Sequence, residues 1–193
     1  MPETPVSLLE RLRRQPDGES WNRLVALYGP LLKGWLRAYG LQEADADDVA
    51  QDVLAVVVRE IARFQHGRQG AFRAWLRTIL VNRLRGFWRS RQAHPQAAGD
   101  SDVLKLLEQL EDPGSDLSRR WDEQHDRQIA GQLLALLEPT FTTATWQAFR
   151  RQVLDGARAA VVAAELGITV NAALLAKSRV LRRLRQEARD LLD

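Results

Sequence analysis

The sequence contains no cysteine and few histidines, and these two shortages exclude several classes of protein. Without cysteine the chain forms no disulfide, offers no thiol nucleophile and builds no cysteine-ligated zinc site. His66, His94 and His125 are far apart and lack the spacing of paired metal ligands. A phosphate-binding G-x-x-x-x-G-K loop is also missing. We therefore predict neither an enzyme active site nor a cofactor or bound metal.

Long apolar stretches are missing as well. Nowhere do eighteen apolar residues follow one another, and the first residues do not combine a basic start with an apolar core. These features predict a cytoplasmic protein with no membrane partner. A length of 193 residues predicts one or two domains, each with a modest core.

Lysine is scarce, so arginine supplies most of the positive charge, and arginine favours bidentate contacts with phosphates and bases. Residues 59–91 contain nine arginines and a single acid, Glu60. Within this segment, residues 70–92 predict a helix with one apolar face, formed by Phe72, Leu76, Ile79, Leu80 and Phe87. Most of its arginines lie away from that face, whereas Arg83 falls inside it. The pattern favours nucleic-acid binding; the alternative is a solvated basic face with Trp75 and Trp88 in the core.

The preceding segment predicts a helix from residue 43 to about residue 64. Its apolar face comprises Val49, Val53, Val57, Ile61 and Phe64. A second stripe is acidic, with Asp45, Asp48 and Asp52 at i, i+3 and i+7. Three interpretations remain open: a solvated face, a docking surface for a basic partner, and a metal site, the last disfavoured because no calcium-loop glycine follows.

Earlier in the chain, residues 5–15 predict a short amphipathic helix whose packing partner is not evident. A second helix follows the capping residues 17–20, with Trp21, Leu24, Val25 and Tyr28 on one side. Gly29 and Pro30 predict a kink or a break before it resumes.

Acidic residues dominate the segment from 100 to 126, which holds nine acids against Lys105, Arg119 and Arg120. One short helix is expected around residues 103–110, ended by the Asp-Pro-Gly sequence at 112–114. The segment is predicted to be a linker. It either shields the basic helices or serves as a solubilising tether.

The last third predicts helices at about 117–137 and 142–154, followed by two shorter helices separated at Gly167. This is helix-turn-helix spacing, although alanine-rich pairs in ordinary bundles imitate it. The second helix of the pair carries basic residues suited to phosphate contact. We therefore predict an all-α fold of two small helical domains joined by an acidic linker, the C-terminal domain containing a helix-turn-helix.

With both basic helices identified, the chain resembles the bacterial RNA polymerase sigma factors of the extracytoplasmic-function type. Residues 45–64, DADDVAQDVLAVVVREIARF, and 72–89, FRAWLRTILVNRLRGFWR, are similar to the second region of that family. Residues 128–186 look like its fourth region. The resemblance implies four segments: an N-terminal extension at 1–17, region 2 at 18–92, the linker at 93–126 and region 4 at 127–193.

The resemblance also implies partners and residue roles. Core RNA polymerase would be contacted through its clamp helices by Asp45, Asp48, Gln51 and Asp52. The −10 element of promoter DNA would be bound by Arg68, Phe72, Trp75, Arg77, Asn82, Arg83, Arg85 and Arg89, with the loop 66–70 helping to hold an unstacked base. The −35 element would be bound by Asn171, Lys177, Ser178, Arg179, Arg182 and Arg183.

In the fourth region Val161 replaces the usual acid and residues 172–176 read AALLA, and apolar side chains make few hydrogen bonds to base edges. This departure shifts the expected −35 contacts onto the polar residues just named. An anti-sigma factor is a further expected partner. Two other functions are weighed: a helix-turn-helix regulator that binds duplex DNA without polymerase, and a metal-dependent helical hydrolase.

Overall fold

The computed structural model describes residues 7–14, 17–65, 70–92, 100–189 and 191–192, and over these ranges the chain is helical with no β-strand. The predicted all-α class is confirmed. The α-helices are α1 (Leu8–Arg14), α2 (Gly18–Ala38), α3 (Glu43–Glu60), α4 (Ala71–Gln92), α5 (Asp100–Glu111), α6 (Asp116–Leu137), α7 (Thr143–Val153), α8 (Ala159–Leu166) and α9 (Val170–Ala188). Short 3-10 turns follow α3 at Ile61–Arg63 and α6 at Glu138–Thr140.

The chain divides into two compact units, an N-terminal unit of residues 6–129 and a C-terminal unit of residues 130–189. Helix α6 contributes residues to both. The N-terminal unit contains α1 to α5 and the first part of α6, and the C-terminal unit contains the end of α6 with α7, α8 and α9.

The core of the N-terminal unit lies between α2, α3 and α4. The apolar face predicted for α3 is confirmed, because Val49, Val53, Val57, Ile61 and Phe64 are all buried. Residues at this spacing line one side of a helix. Burial of each such aliphatic side chain stabilises the fold by about 1.5–3 kcal/mol. Helix α3 is therefore held rigidly by one face while its other side stays outside the core.

Helix α2 runs without interruption through Gly29 and Pro30, which contradicts a break there, whereas the alternative of a kink stays a prediction. Proline inside a helix costs about 3 kcal/mol, through a lost hydrogen bond and a steric clash. Tyr28 and Leu27 before the proline and Leu31 and Leu32 after it are buried, and this packing offsets the cost. Val25, predicted on the buried side, is exposed.

The short N-terminal helix predicted at residues 5–15 is present as α1. Its buried residues Leu8, Leu9 and Leu12 pack it against α2 and the 3-10 turn at Ile61–Arg63. Tertiary packing therefore stabilises a seven-residue helix, which would be marginal in isolation. Residues 1–6 and 15–16 of the predicted N-terminal extension lie outside the described residues.

From residue 100 onward, the segment predicted as an acidic linker forms α5 and the start of α6. Its apolar residues explain this, since Leu107 and Leu110 on α5 and Leu117 and Trp121 on α6 are buried in the N-terminal unit. Helix α5 packs against α4 and ends before the predicted turn, where the amide of Gly114 donates to Asp112 at 2.9 Å. Residues 93–99 lie outside the described part of the chain, and the exact domain boundaries remain a prediction.

The C-terminal unit is built on two small cores. One joins α7, α8 and α9 through Ala148, Val162, Ala163, Ala173 and Ala176. The other packs Leu137, Trp146, Phe149 and Val180 together. Small side chains at the first core bring α8 close to α9, as a tight helix pair requires.

Candidate functional site

The acidic stripe of α3 lies opposite its buried valines. Asp48, Gln51 and Asp52 are exposed, whereas Asp45 is half-buried and makes a further contact. Over the described ranges neither Asp48 nor Asp52 has a cationic partner. Two other acids near the start of α3 are paired with α2: Asp47 lies 3.0 Å from the Nζ of Lys33, and Glu43 lies 3.4 Å from Arg37. The exposed stripe is thus an acidic surface available to a basic partner.

Two predicted DNA-binding aromatics of α4 take part in core packing. Phe72 is 2% exposed and packs edge-on against Tyr28 and Phe64, with ring centroids 5.4 and 5.6 Å apart. In this structure the Phe72 side chain takes part in core packing, and its predicted contact with DNA stays a prediction. Trp75 is half-buried and stacks on Phe64 at 4.8 Å, which leaves part of its ring accessible.

Two arginines near the start of α4 are paired with acids of α6. Arg73 lies 2.8 Å from Asp126 and 3.1 Å from Asp122, and Arg77 lies 3.3 Å from Asp122. Arg77 is only 7% exposed, whereas the sequence places it away from the apolar face. The pattern within α4 does not reveal that α6 covers this part of the helix. Arg77 thus helps to fix α4 against α6 through an ion pair with the partly exposed Asp122, and its predicted contact with phosphate stays a prediction.

The second half of α4 presents its polar side chains outward. Asn82, Arg83 and Arg89 are exposed. Arg83 was predicted inside the apolar face, but Val81 and Leu84 occupy the core positions on either side of it. This half of α4 is therefore the exposed basic surface of the N-terminal unit.

Arg85, also in this half of α4, forms a two-pronged ion pair with Glu111 at the end of α5. Both side chains are partly exposed, and such pairs contribute only about 0–1 kcal/mol. Arg85 is thus within reach of an external anion that displaces Glu111. The predicted contact residue Arg68 and the loop residues 66–69 lie outside the described residues.

A buried polar network, not predicted from the sequence, connects α2, α4 and α6. His125 is fully buried, with Nδ1 2.9 Å from Asp126 and Nε2 3.2 Å from the hydroxyl of Tyr28. Because a carboxylate only accepts, Nδ1–H donates to Asp126, and Nε2 accepts from Tyr28. Burial lowers the pKa of His125, against the opposing influence of Asp126, and burial raises the pKa of Tyr28. Only the fold brings together residues 28, 73 and 125, which explains why no local pattern indicated them.

In the C-terminal unit, α8 and α9 meet at 107° across a short turn. Gly167 ends α8 in the left-handed conformation with φ 64°, and Thr169 caps α9 by accepting from the amide of Ala172. Helices at 90–120° joined by a short glycine-containing turn are typical of helix-turn-helix units. A left-handed backbone at this point favours glycine, which explains its position in the sequence.

The predicted −35 contacts on α9 differ in accessibility. Asn171, Ser178, Arg179 and Arg182 are exposed, whereas Lys177 is half-buried. Arg183 is paired with Glu187 at 2.8 Å, one turn further along the helix. The first four residues are thus better placed than the last two to contact a ligand.

Two polar contacts that the sequence did not indicate hold this helix pair in place. The side-chain amide Nε2 of the buried Gln152 on α7 donates to the backbone carbonyls of Ala148 and Ala173, each at 2.8 Å. Arg151 donates two hydrogen bonds to Glu165 on α8, at 3.0 and 2.8 Å, and this pairing lowers the pKa of Glu165. Helices α8 and α9 are therefore both anchored to α7.

No group of three acidic or histidine side chains among the described residues is placed to hold a metal ion. No single helix in the described part of the chain is long and apolar enough to cross a bilayer, although the bent pair α8–α9 reaches that length and apolarity jointly.

Comparison with known proteins points to one family. Residues 24–94 match the model described as Sigma-70 region 2. The chain is 28% identical over 127 residues to the RNA polymerase sigma factor NccH of Alcaligenes xylosoxydans xylosoxydans, covering 65% of this chain and 67% of that protein. It is 30% identical over 105 residues to the RNA polymerase sigma factor CnrH of Cupriavidus metallidurans, covering 54% of each chain.

A third relative is the ECF RNA polymerase sigma factor RpoE of Cereibacter sphaeroides, 30% identical over 92 residues, which are 47% of this chain and 50% of the relative. The chain thus spans about half the length of CnrH and RpoE. The family match includes α3 and α4, the helices that carry the acidic stripe and the exposed basic surface.

Proposed function

We propose that this chain is an extracytoplasmic-function sigma factor of the sigma-70 family, which binds core RNA polymerase and directs promoter recognition and the initiation of DNA-templated transcription. The match of residues 24–94 to Sigma-70 region 2 and the similarity to three RNA polymerase sigma factors support this proposal. The observation that carries this proposal is the pairing of α3 and α4 in the N-terminal unit. These helices pack together, one exposing acids and the other exposing Asn82, Arg83 and Arg89. In this proposal the protein recruits core polymerase and positions it on the promoter, and it catalyses no reaction itself. We place the protein in the cytoplasm.

The acidic stripe is the proposed contact with the polymerase clamp helices. Asp48, Gln51 and Asp52 carry the interaction, with Asp45 at its margin. Asp48 and Asp52 are exposed and have no cationic partner within the described residues, so they raise the local negative potential. This steers a basic surface toward them and fixes its register. Burial of the opposite valine face keeps the stripe in a fixed orientation.

The exposed half of α4 is the proposed reader of the −10 element. Asn82 offers both a donor and an acceptor to a base edge, while Arg83, Arg85 and Arg89 contact phosphates of the opened strand. The accessible part of Trp75 supplies a stacking surface near the loop 66–70, to which Arg68 belongs. Phe72 and Arg77 support this surface from within.

Helices α8 and α9 are the proposed reader of the −35 element. The second helix of a helix-turn-helix enters the major groove, its first turns facing base edges. Asn171 and Ser178 are then directed to bases, and Arg179 and Arg182 to phosphates, with Lys177 and Arg183 in lesser roles. An anti-sigma factor is a further proposed partner, and it would cover one of these surfaces.

Run-off transcription with purified core RNA polymerase tests the proposal. The expected result is discrete transcripts whose mapped start sites share −10 and −35 sequences when the protein is added, and none from core polymerase alone. A protein that binds duplex DNA as a dimer but leaves core polymerase inactive would instead establish the helix-turn-helix regulator as the function. Metal-dependent hydrolysis lost in an Asp48→Asn variant would establish the hydrolase.

A further inference from the structure

The outer face of α9 holds two exposed leucines among polar side chains. Leu174 is 50% and Leu175 46% exposed. On a helix of 3.6 residues per turn, Leu175 shares one face with Asn171, Ser178 and Arg182, four before it and three and seven after it. The opposite face is formed by the buried residues Ala173, Ala176 and Val180. The core is therefore complete without the leucines, and packing does not explain them.

The surroundings of these leucines are cationic. Helix α9 contains one acid, Glu187, which is buried and paired with Arg183, while Arg179 and Arg182 are exposed. An apolar pair on a polar, positively charged helix face matches a polyanion that also displays apolar groups. Duplex DNA is such a ligand, because each thymine presents a C5 methyl group in the major groove.

The position of the leucines in α9 fits this ligand. They lie in the second turn of the helix, and the early turns of a helix-turn-helix recognition helix face the base edges. A helix about 10–12 Å across fills a major groove about 12 Å wide. Side chains on the outer face of the first two turns then meet bases, while residues further along meet the backbone.

On the basis of the proposed function, we propose that Leu174 and Leu175 are specificity-determining residues that read thymine methyl groups in the −35 element. Asn171 and Ser178 flank them with hydrogen-bonding groups, and Arg182 holds the phosphate backbone. Within residues 172–176, whose composition disfavours hydrogen-bonded readout, Leu174 and Leu175 thus select bases by apolar contact, while Ala173 and Ala176 stay in the core. The −35 preference should contain thymines at one or two positions that face the second turn of α9.

Replacing thymine by deoxyuridine removes only the methyl group, and this is the basis of the test. The reconstituted holoenzyme is bound to promoters in which each thymine of the −35 element is replaced in turn by deoxyuridine. We expect about a fourfold loss of affinity at one or two positions, the effect of one buried methyl-sized group. Leu175→Ala or Leu174→Ala should weaken binding to the thymine promoter and no longer distinguish uracil from thymine at the affected position.

Val153→Ala on α7 is the matched control, because it also truncates an exposed apolar side chain in the C-terminal unit. It should keep the full response to uracil. Alanine has the higher helix propensity, so the leucine variants should fold, and this is checked by circular dichroism. Equal binding of thymine and uracil promoters at every position would overturn the proposal. Leucine variants that keep this discrimination but lose transcription would also overturn it, assigning the leucines to a protein contact.

If the protein does not activate core polymerase, duplex sites that bind it are first selected from a random DNA library. The same thymine-to-deoxyuridine scan is then carried out on those sites. A protein that lacks sigma activity but still distinguishes thymine from uracil would refute the proposed function and support this inference. Equal binding of thymine and uracil duplexes in that scan would overturn the inference as well.

Discussion

The Nη1 of Arg73 on α4 lies 2.8 Å from both carboxylate oxygens of Asp126 on α6. Asp126 also accepts from His125, which is itself hydrogen-bonded to Tyr28 on α2. One carboxylate thus joins three helices of the N-terminal unit. The acids of α6 do more than shield arginines from solvent, because they fix the position of the helix proposed to read DNA.

Loss of this carboxylate should destabilise the N-terminal unit. Asp126→Ala removes one of the two carboxylates that pair with Arg73 and the acceptor of the Nδ1–H of His125. We expect the free energy of unfolding to fall by about 1–3 kcal/mol, measured by thermal or urea unfolding. The control is Asp116→Ala, which breaks an exposed ion pair with Arg119. Its free energy of unfolding should stay within about 0.5 kcal/mol of that of the unmodified protein. Equal effects of the two substitutions would show that the Asp126 network contributes no more than a surface pair.

The buried histidine should make stability depend on pH. Because burial lowers the pKa of His125 in the folded chain, the unfolded chain binds its proton first as pH falls below about 6.5. The free energy of unfolding should therefore decrease between pH 7.5 and pH 5. His125→Gln keeps hydrogen-bonding capacity without titrating, so its unfolding midpoint should change less over the same range. A parallel pH dependence in both proteins would contradict the assignment.

The surface pair between Arg85 and Glu111 should compete weakly with DNA. Removing the negative charge with Glu111→Gln releases Arg85 for a phosphate, so affinity for single-stranded DNA should rise severalfold at low salt and less at high salt. Fluorescence anisotropy over a salt series measures this. Glu108→Gln, an exposed acid on the same helix, is the control for net charge. Identical gains in both variants would indicate a general charge effect rather than competition at Arg85.

Local sequence patterns predicted the helices well because each helix buries an apolar stripe of regular spacing. The buried face of α3 follows from such a stripe, whereas the end of α5 before residues 112–114 and the turn at Gly167 follow from glycine and proline at those positions. Of the kink or break expected at Pro30, the break is absent, because the packing of Leu27 and Leu31 on either side offsets the local cost of proline.

The candidate site was less predictable wherever it depends on contacts between distant residues. Phe72 and Arg77 carry the residue types of a DNA-binding surface, yet α2 and α6 cover them. Arg83 was placed in the apolar face by an idealised helical wheel, whereas Val81 and Leu84 supply that face instead. Such covering depends on tertiary structure, which the periodicity of one helix does not contain.

Charge reversal on α3 should separate polymerase binding from folding. Asp48→Arg combined with Asp52→Arg places like charges against a basic partner, and we expect binding to core polymerase in a pull-down or titration to be abolished. Both positions are exposed, so helical content should be unchanged. Glu108→Arg with Glu138→Arg makes the same change in net charge at exposed sites elsewhere and should retain binding. Unchanged polymerase affinity in the Asp48 and Asp52 variant would refute the docking surface.

A single truncation on α4 and a single truncation on α9 should have different effects on promoter binding: the first should reduce sequence discrimination and the second should reduce general affinity. Asn82 is exposed on α4, so Asn82→Ala should leave thermal stability nearly unchanged while weakening discrimination among −10 sequences by about 1–3 kcal/mol, the scale of one good base contact. Trp75→Ala is less informative, because Trp75 stacks on Phe64 and its loss also removes packing.

Arg182→Ala on α9 should instead weaken binding to all promoters by a similar factor, because a phosphate contact carries no sequence information. The salt dependence of the binding affinity should fall by about one phosphate contact. Transcription from a promoter library with each variant measures both effects. An Asn82→Ala protein that keeps its −10 preference, together with an Arg182→Ala protein that changes its −35 preference, would show that these two residues have the opposite roles. Because Leu174 and Leu175 are intact in both variants, a change in −35 preference would then be due to Arg182 itself.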